Sequence, residues 1–199
     1  MSATDPADRQ PMTEAELQAV TLGELQPLGG PIALHDYDPQ WPQLFQREAQ
    51  RIRALLGERA LLLEHAGSTS VPGLAAKPVI DIVLAVPDSA DEDAYVPVLE
   101  AAGYRLRIRE PEWYEHRLFK GPDTDINLHV FSVGCEEIDK MLAFRDHLRT
   151  NAADRELYER AKRELAAQNW KYTQNYADAK TAVIEQIVAR ARASATARG

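Results

Sequence analysis

The chain has little of several features that would decide its class. Its 199 residues include one cysteine, Cys135, which excludes an internal disulfide and a zinc site made of several cysteines. No uninterrupted apolar stretch approaches the roughly 18–20 residues that a membrane-spanning helix needs. The first residues also lack the basic and apolar regions of a secretory signal. We therefore expect a cytoplasmic protein with no membrane partner.

Basic residues are also few. The sequence has 23 Lys and Arg against 31 Asp and Glu, and its formal net charge is −8. Because it contains no long Lys/Arg cluster, we expect no long nucleic acid as a partner. Solubility explains the negative charge, and a preference for cationic partners is the less favoured alternative. A small anionic ligand stays compatible with it, since one pocket can be basic on an acidic protein.

The composition fits one globular domain with an appended arm. Hydrophobic residues make up 45% of the chain, which is enough for a sizeable core. We assign residues 1–30 to a partly disordered N-terminal arm, in which a Thr13–Glu16 capping box opens a helix that ends near Leu25. Residues 31–193 form the domain and residues 194–199 a frayed tail. Packing is the favoured role of the arm, ahead of ligand binding.

Hydrophobic periodicity predicts a strand-rich middle followed by helices. An amphipathic helix begins near Trp41, and both Trp41 and Phe45 are expected to belong to the core. The order of elements favours an α+β fold over regular βαβ winding. The patterns predict strands at Leu61–His65, Pro78–Val86, Tyr104–Arg109, Arg117–Lys120 and Asp125–Phe131, a short edge strand at Ile32–Leu34, and a helix at Ser89–Ala102.

Small and hydroxylated residues follow the first predicted strand. Gly67 is followed by Ser68, Thr69 and Ser70, and their hydroxyl and N–H groups suit phosphate oxygens at a helix N-terminus. Lys77 supplies a positive charge nearby. An ordinary strand-to-helix turn with capping residues has the same composition, so both interpretations stay open.

Asp81 lies in the middle of an apolar strand. Burying an unpaired carboxylate there is costly, so Asp81 needs hydrogen-bond donors, a cation or a cleft. It is either a structural partner of Lys77 or an arginine, or a ligand of Mg²⁺, which prefers oxygen donors. On a later strand, Asn127 and His129 share one face. A structural histidine is the alternative there to the floor of a cleft beside Asp81.

Two sequence segments carry a family resemblance. Residues 35–42 (HDYDPQWP) and residues 65–81 (HAGSTSVPGLAAKPVID) resemble the GrpB family, and the resemblance spans roughly residues 32–191. Further matches are Leu128–Val130, Phe144–Asp146 with Arg149, and Tyr176 with Lys180.

The resemblance implies membership of the polymerase-β-like nucleotidyltransferase superfamily. The implied fold is a mixed β-sheet with helices packed on one face and a helical C-terminal part, and the implied ligand is a metal-bound nucleotide. Gly67 and Ser68 match the superfamily's turn, and Asp81 matches its first acid. Val83 stands where a second acid is expected.

The resemblance also implies roles for individual residues. Asp81 and His129 are the implied catalytic residues and metal ligands, with Mg²⁺, Mn²⁺ or Zn²⁺ as the metal. Because two-metal chemistry needs several carboxylates, we expect one metal or none, and a histidine ligand favours Mn²⁺ or Zn²⁺. The implied phosphate-binding residues are Gly67, Ser68, Thr69, Ser70, Lys77, Arg117 and Lys180.

Two functions are compatible with this sequence. The first is binding of a nucleotide or another phosphorylated small molecule, with metal-dependent nucleotidyl transfer as the implied activity. The second is a catalytically inactive interaction or folding-assistance module, since family members also occur fused to dephospho-CoA kinase. A second carboxylate beside Asp81 would favour catalysis, and Asp125 and Asp146 are the candidates for it.

Overall fold

The computed structural model describes residues 10–196, and the predictions for residues 1–9 and 197–199 lie outside this part of the chain. Helices and strands alternate irregularly along it. The helices are α1 (Glu14–Val20), α2 (Trp41–Leu56), α3 (Val96–Ala101), α4 (Glu136–Thr150), α5 (Ala152–Ala166), α6 (Thr173–Ala179) and α7 (Thr181–Thr196). The strands are β1 (Leu62–Ala66), β2 (Ile80–Val86), β3 (Arg105–Glu110), β4 (His116–Lys120) and β5 (Ile126–Ser132).

The five strands form one mixed sheet in the order β1-β2-β5-β4-β3. Only β2 and β5 are parallel, and the other neighbouring pairs are antiparallel. In the register, Asp81 lies between Ala66 of β1 and Asn127 of β5, and Val83 lies beside His129. The predicted mixed α+β fold is therefore confirmed, with Asp81 on an interior strand.

The two faces of β2 have different neighbours because side chains alternate along a strand. Ile82 and Leu84 face the main core under α2 and α3, where Trp41 is also buried. Val83 on the opposite face packs with Phe131 and with Ile138 of α4. Since Asp81 alternates with Ile82, its carboxylate lies on the second face, which the helical C-terminal part approaches.

Three predicted elements differ from the observed ones. The Thr13 capping box is present, but α1 ends at Val20 instead of Leu25. Residues Ile32–Leu34 form no strand, and the nearby pairing is an isolated bridge from His35 to Ala76. The predicted helix at Ser89–Ala102 reduces to a 3₁₀ turn and the short α3, in which Pro97 lies in the first turn. Proline is tolerated there because a first-turn N–H has no intrahelical partner.

The N-terminal arm contacts both the sheet and the C-terminal helices. The backbone N–H of Leu22 donates to the Arg107 carbonyl of β3, so the arm covers an edge strand that would otherwise expose unpaired groups. Glu14 binds Lys171 and the Tyr172 hydroxyl. Among residues 10–196, no helix is long and apolar enough to cross a membrane.

Candidate functional site

The backbone at Gly67 lies directly against the carboxylate of Asp81. Gly67 ends β1 with φ +64° and ψ −170°, a region that is almost exclusive to glycine. A Cβ atom added at Gly67 would lie 2.2 Å from Oδ2 of Asp81. The glycine therefore permits both the turn and the close approach of its backbone to the acid.

Two of the three predicted phosphate-binding hydroxyls hold the turn together instead. The Ser70 hydroxyl donates to the Gly67 carbonyl at 2.6 Å. The Thr69 hydroxyl donates to the Val79 carbonyl at 3.2 Å and lies 3.1 Å from Nε2 of His65. Thr69 and Ser70 are 1% and 4% exposed, so neither hydroxyl is available to a ligand. Ser68 is half-buried and remains the accessible hydroxyl of the three.

Asp81 interacts with two side chains of β5. The Asn127 amide donates to Oδ1 of Asp81 at 2.8 Å, and its own oxygen accepts from Lys120 at 2.9 Å. Nε2 of His129 lies 3.7 Å from the same Oδ1. Burial raises the pKa of Asp81, but His129, Asn127 and the more distant Lys180 together outweigh it and leave that pKa below its usual value. Asp81 is therefore ionised at neutral pH.

His129 is in turn contacted by buried groups of β4 and β3. Its Nδ1 lies 3.1 Å from Nε2 of His116, whose Nδ1 lies 2.6 Å from a carboxylate oxygen of Glu110. His116 and Glu110 are 3% and 4% exposed. A continuous polar chain therefore reaches His129 from the far edge of the sheet.

The charge of Asp81 acts on three lysines, Lys77, Lys162 and Lys180, and we call this group, with Asp81 and His129, the Asp81 site. Burial lowers the pKa of Lys77, Lys162 and Lys180, and that of Lys162 falls to about 7. Lys180 further lowers the pKa of the other two, while Asp81 raises the pKa of all three. Each lysine also has an acid of its own that raises its pKa, Asp125 for Lys77, Glu159 for Lys162 and Asp178 for Lys180, so Asp81 is the acid that all three share.

None of these lysines has a close ion pair in the part of the chain that the structure describes. Lys162, which is buried, donates to the Ala75 carbonyl and lies over the Tyr158 ring. Lys180 lies 4.6 Å from the centre of the Tyr176 ring. The Tyr176 hydroxyl is buried, with no hydrogen-bond partner among the described residues. Lys162 and Lys180 are therefore held by a carbonyl and by aromatic rings and not by a contacting carboxylate.

The predicted site residues do not all come together. Gly67, Lys77 and Lys180 lie around Asp81, as described above, but Arg117 does not. Arg117 lies on the other face of the sheet, where it binds Glu92 and Glu115. Its neighbour in the register is Val130 of the main core, so the alternation of β4 places it there. The prediction that Arg117 binds phosphate beside Asp81 is therefore wrong.

Sequence reasoning missed two residues of α5, Tyr158 and Lys162. Burial raises the pKa of the Tyr158 hydroxyl, and a hydrogen bond from Ser68 offsets part of that rise. The only local signal was their spacing of four, which places both on one face of a helix. Which face meets Asp81 depends on how α5 packs over the turn that follows β1.

Both candidate second acids pair with basic side chains, and Asp125 does so with the Lys120 that also holds Asn127. Asp125 binds Lys120 at 2.8 Å, and Asp146 binds Arg145 and Arg149. Residues 10–196 contain no group of three or more His, Cys, Asp or Glu side chains that could hold a metal ion. Asp81 and His129 supply two donors, which suit a single cation that takes its remaining ligands from a bound molecule. They do not fit a two-metal centre.

A separate cavity of about 400 Å³ lies beside the edge strand β1. Phe45 of α2 stacks on the His65 ring there, with ring centres 4.8 Å apart. Burial lowers the pKa of His65 to about 4, so this histidine is neutral at pH 7 and supports the turn through Thr69. The cavity is lined by Tyr37, Phe45, Glu64, His65, Arg145 and Arg149.

The GrpB protein family model matches residues 31–190. The chain belongs to the GrpB family. A UPF0157 protein of Halalkalibacterium halodurans is 61% identical over 190 residues, which are 96% of this chain and 97% of that protein. The crystal structure of the conserved protein GrpB from Enterococcus faecalis has a TM-score of 0.71 and 33% identity, over 80% of this chain and 96% of that chain.

A shorter part of this GrpB-family chain is similar to a larger protein. A dephospho-CoA kinase of Mycolicibacterium paratuberculosis is 46% identical over 77 residues, which are 37% of this chain and 19% of that kinase. The similarity is thus confined to a minor part of the kinase.

Proposed function

We propose that this GrpB-family protein binds a nucleotide or another phosphorylated small molecule at the Asp81 site. The observation that carries the proposal is that Lys77, Lys162 and Lys180 are all at least half-buried and lie within electrostatic reach of one carboxylate, with no close ion pair among the described residues. Like charges brought together in a partly buried site repel, and each lysine also loses hydration. A phosphate group relieves both effects because it is anionic and accepts hydrogen bonds from ammonium groups.

The lysines have different roles in this proposal. Lys77 and Lys180 are half-buried and donate directly to phosphate oxygens. Lys162 is 2% exposed, and because its pKa is lowered to about 7, it contributes a full positive charge from behind them only when an anionic ligand raises that pKa. Ser68 is half-buried and donates to the same ligand in place of the Tyr158 oxygen. Thr69 and Ser70 shape the turn without contacting the phosphate.

The negative charge of Asp81 opposes phosphate binding unless a cation lies between them. A divalent cation held by Asp81 and His129 would neutralise that repulsion and polarise a phosphoryl group. The chain's own contribution is to orient the acid through Asn127, whose amide faces Asp81 because Lys120 holds its oxygen.

The first test measures binding directly. We expect inorganic triphosphate and ATP, each with Mg²⁺, Mn²⁺ or Zn²⁺, to raise the melting temperature, since a ligand of the native state stabilises it by mass action. The double variant Lys77→Met/Lys180→Met should bind at least about 100-fold more weakly, because each charge-assisted hydrogen bond contributes about 1.5–3 kcal/mol.

Lys171→Met is the matched control, since Lys171 is exposed and paired with Glu14. It should bind triphosphate like the wild type. Equal affinity in the double variant and the wild type, measured by calorimetry, would refute the assigned site. No binding of any phosphorylated probe would refute the function itself.

Nucleotidyl transfer is the specific activity that such a binding site could support, and we expect it to be slow or absent. Stabilising the charge that develops on the transferred group needs metal ions held by several acids. Position 83 is a valine, and Asp125 and Asp146 are paired with basic side chains, so no second acid joins Asp81 among the described residues. A radiolabelled nucleotide incorporation assay on the wild type and Asp81→Ala tests this. Rapid wild-type turnover that disappears in Asp81→Ala would contradict the expectation.

The second candidate function is an interaction module. The observation in its favour is the partial similarity to a dephospho-CoA kinase. If no phosphorylated probe binds, a purified dephospho-CoA kinase from the same organism should bind this chain in a calorimetric titration. Failure of that titration would remove this candidate.

A further inference from the structure

The cavity beside β1 lies at an edge of the sheet, and none of its lining residues belongs to the Asp81 site. Its volume of about 400 Å³ is within the range of small-molecule binding sites. Glu64 and His65 are neighbours on β1, so their side chains point to opposite faces of the sheet. Glu64 binds Arg145 of α4, and His65 stacks on Phe45 of α2. The cavity therefore spans the sheet edge between these two helices.

Ring side chains form much of the lining. They are Tyr37, Pro42, Phe45, His65 and Pro72. The half-buried Phe45 ring stacks on the buried His65 ring, with ring centres 4.8 Å apart. The Tyr37 ring packs at right angles to the buried Trp41 ring at 5.4 Å. Both rings are thus fixed by buried neighbours, so a flat ligand ring can pack against them without first having to order them.

The charged side chains in the lining are Glu64, Arg145 and Arg149. Arg145 is 8% exposed and donates to Glu64 at 2.7 Å and to the His65 carbonyl at 2.9 Å. Asp146 pairs with both arginines, but its side chain is 55% exposed and is not part of the lining. The lining itself therefore carries one more positive charge than negative charge.

Arg149 supplies the hydrogen-bond donors of this cavity. Its Nε and Nη2 donate to the Ser70 carbonyl at 3.0 and 2.9 Å, and its Nη1 donates to Asp146 at 3.2 Å. A guanidinium group has five N–H groups, so two are left without an acceptor among the described residues. The pair with Asp146 joins two exposed side chains and is weak for that reason. A carboxylate that the cavity walls shield from water binds Arg149 more strongly.

We infer that this cavity binds a small molecule that carries one carboxylate on a flat aromatic ring. The carboxylate accepts hydrogen bonds from the two remaining N–H groups of Arg149, and the ring packs against Tyr37 and Phe45. A monoanion balances the single excess positive charge of the lining, whereas a phosphate monoester carries nearly two negative charges. This ligand is independent of the phosphorylated one, because no residue contacts both.

The first experiment titrates small probes into the protein and follows them by NMR. We expect 2-naphthoate to bind with a Kd of about 1 mM or below, as its size of about a dozen non-hydrogen atoms permits. Its neutral amide and 2-naphthyl phosphate should bind at least about tenfold more weakly. Benzoate should bind more tightly than the puckered cyclohexanecarboxylate. The signals that shift should include Nε–H of Arg149 and the backbone N–H of Ser70.

The second experiment places a negative charge in the lining. Gln46 is exposed on α2 and lines the cavity, so Gln46→Glu should keep the fold and weaken 2-naphthoate binding by about 3–10-fold. Gln50→Glu is the matched control, because Gln50 is exposed on the same helix but outside the lining. It should bind 2-naphthoate like the wild type, and both variants should keep the wild-type melting temperature.

Arg149→Met removes the proposed donor and should weaken 2-naphthoate binding by at least about tenfold. Arg149 also holds the Ser70 carbonyl, so the melting temperature of this variant is measured alongside its affinity. If Arg149→Met does not fold, Gln46→Glu and its control still decide where the probe binds.

Three results would overturn the inference. Equal binding of 2-naphthoate and its amide would remove the carboxylate contact, and equal affinity in Gln46→Glu and Gln50→Glu would remove the location. No binding of 2-naphthoate at about 10 mM would remove the site itself. Because 2-naphthoate is titrated without any phosphorylated ligand, these results do not depend on whether the Asp81 site binds triphosphate.

Discussion

Gly67→Ala is expected to destabilise the protein by about 3–5 kcal/mol and to remove ligand binding at the Asp81 site. The backbone conformation at φ +64° and ψ −170° alone costs a residue with a side chain about 1–3 kcal/mol. The added Cβ would also lie 2.2 Å from Oδ2 and 2.9 Å from Cβ of Asp81. Since Asp81 is fixed in an interior strand, the turn or the strand must shift. Chemical denaturation and a triphosphate titration measure the two effects.

Gly73→Ala is the matched control for this substitution. Gly73 also has a positive φ, +80°, but an added Cβ would meet nothing within 4 Å. It therefore incurs the backbone cost alone, about 1 kcal/mol, and should leave triphosphate binding intact. Equal destabilisation by the two alanines would show that the contact between Gly67 and Asp81 has no energetic weight.

The second large effect concerns the pH dependence of stability. The pKa of Lys162 is lowered from 10.5 in the unfolded chain to about 7 in the fold, chiefly by burial. Between these values the unfolded state binds more protons, so the free energy of unfolding rises with pH. Lys162 alone should add on the order of 2 kcal/mol between about pH 7.5 and pH 9.5.

In Lys162→Met the free energy of unfolding should rise less between about pH 7.5 and pH 9.5, because the contribution of Lys162 is lost. Denaturation curves at several pH values measure this difference. The control is Lys171→Met, because Lys171 is exposed and Glu14 raises its pKa, so its removal leaves the slope unchanged over this range. Identical slopes in the wild type and Lys162→Met would mean that Lys162 stays protonated in the fold.

The binding that we propose at the Asp81 site has a simple electrostatic basis. The protein carries a net charge of −8, yet three lysines converge on one acid. The proposed anionic ligand would therefore be recognised by local positive charge against the overall field of the molecule. Salt should weaken this recognition less than it weakens surface pairing, because the lysines are partly buried.

The sequence by itself determined the mixed α+β class and the strand that carries Asp81, and it singled out the turn that begins at Gly67. These features depend on local patterns. A β-branched apolar run forms a buried strand whatever surrounds it, and the side-chain period of two places Asn127 and His129 on one face. The segment from His65 to Asp81 was also long enough to indicate the GrpB family.

The tertiary structure alone decided which groups face Asp81. Lys162 and Tyr158 come from a helix distant in sequence, and their approach depends on how α5 packs. Arg117 was assigned to the site by its charge, but its position in β4 places it on the other face of the sheet. The Thr69 and Ser70 hydroxyls were assigned to a ligand, yet buried polar groups must find partners inside the fold, and the nearest were the carbonyls of the turn itself. Sequence distance carries no information about such contacts, because they form only when separate elements pack together.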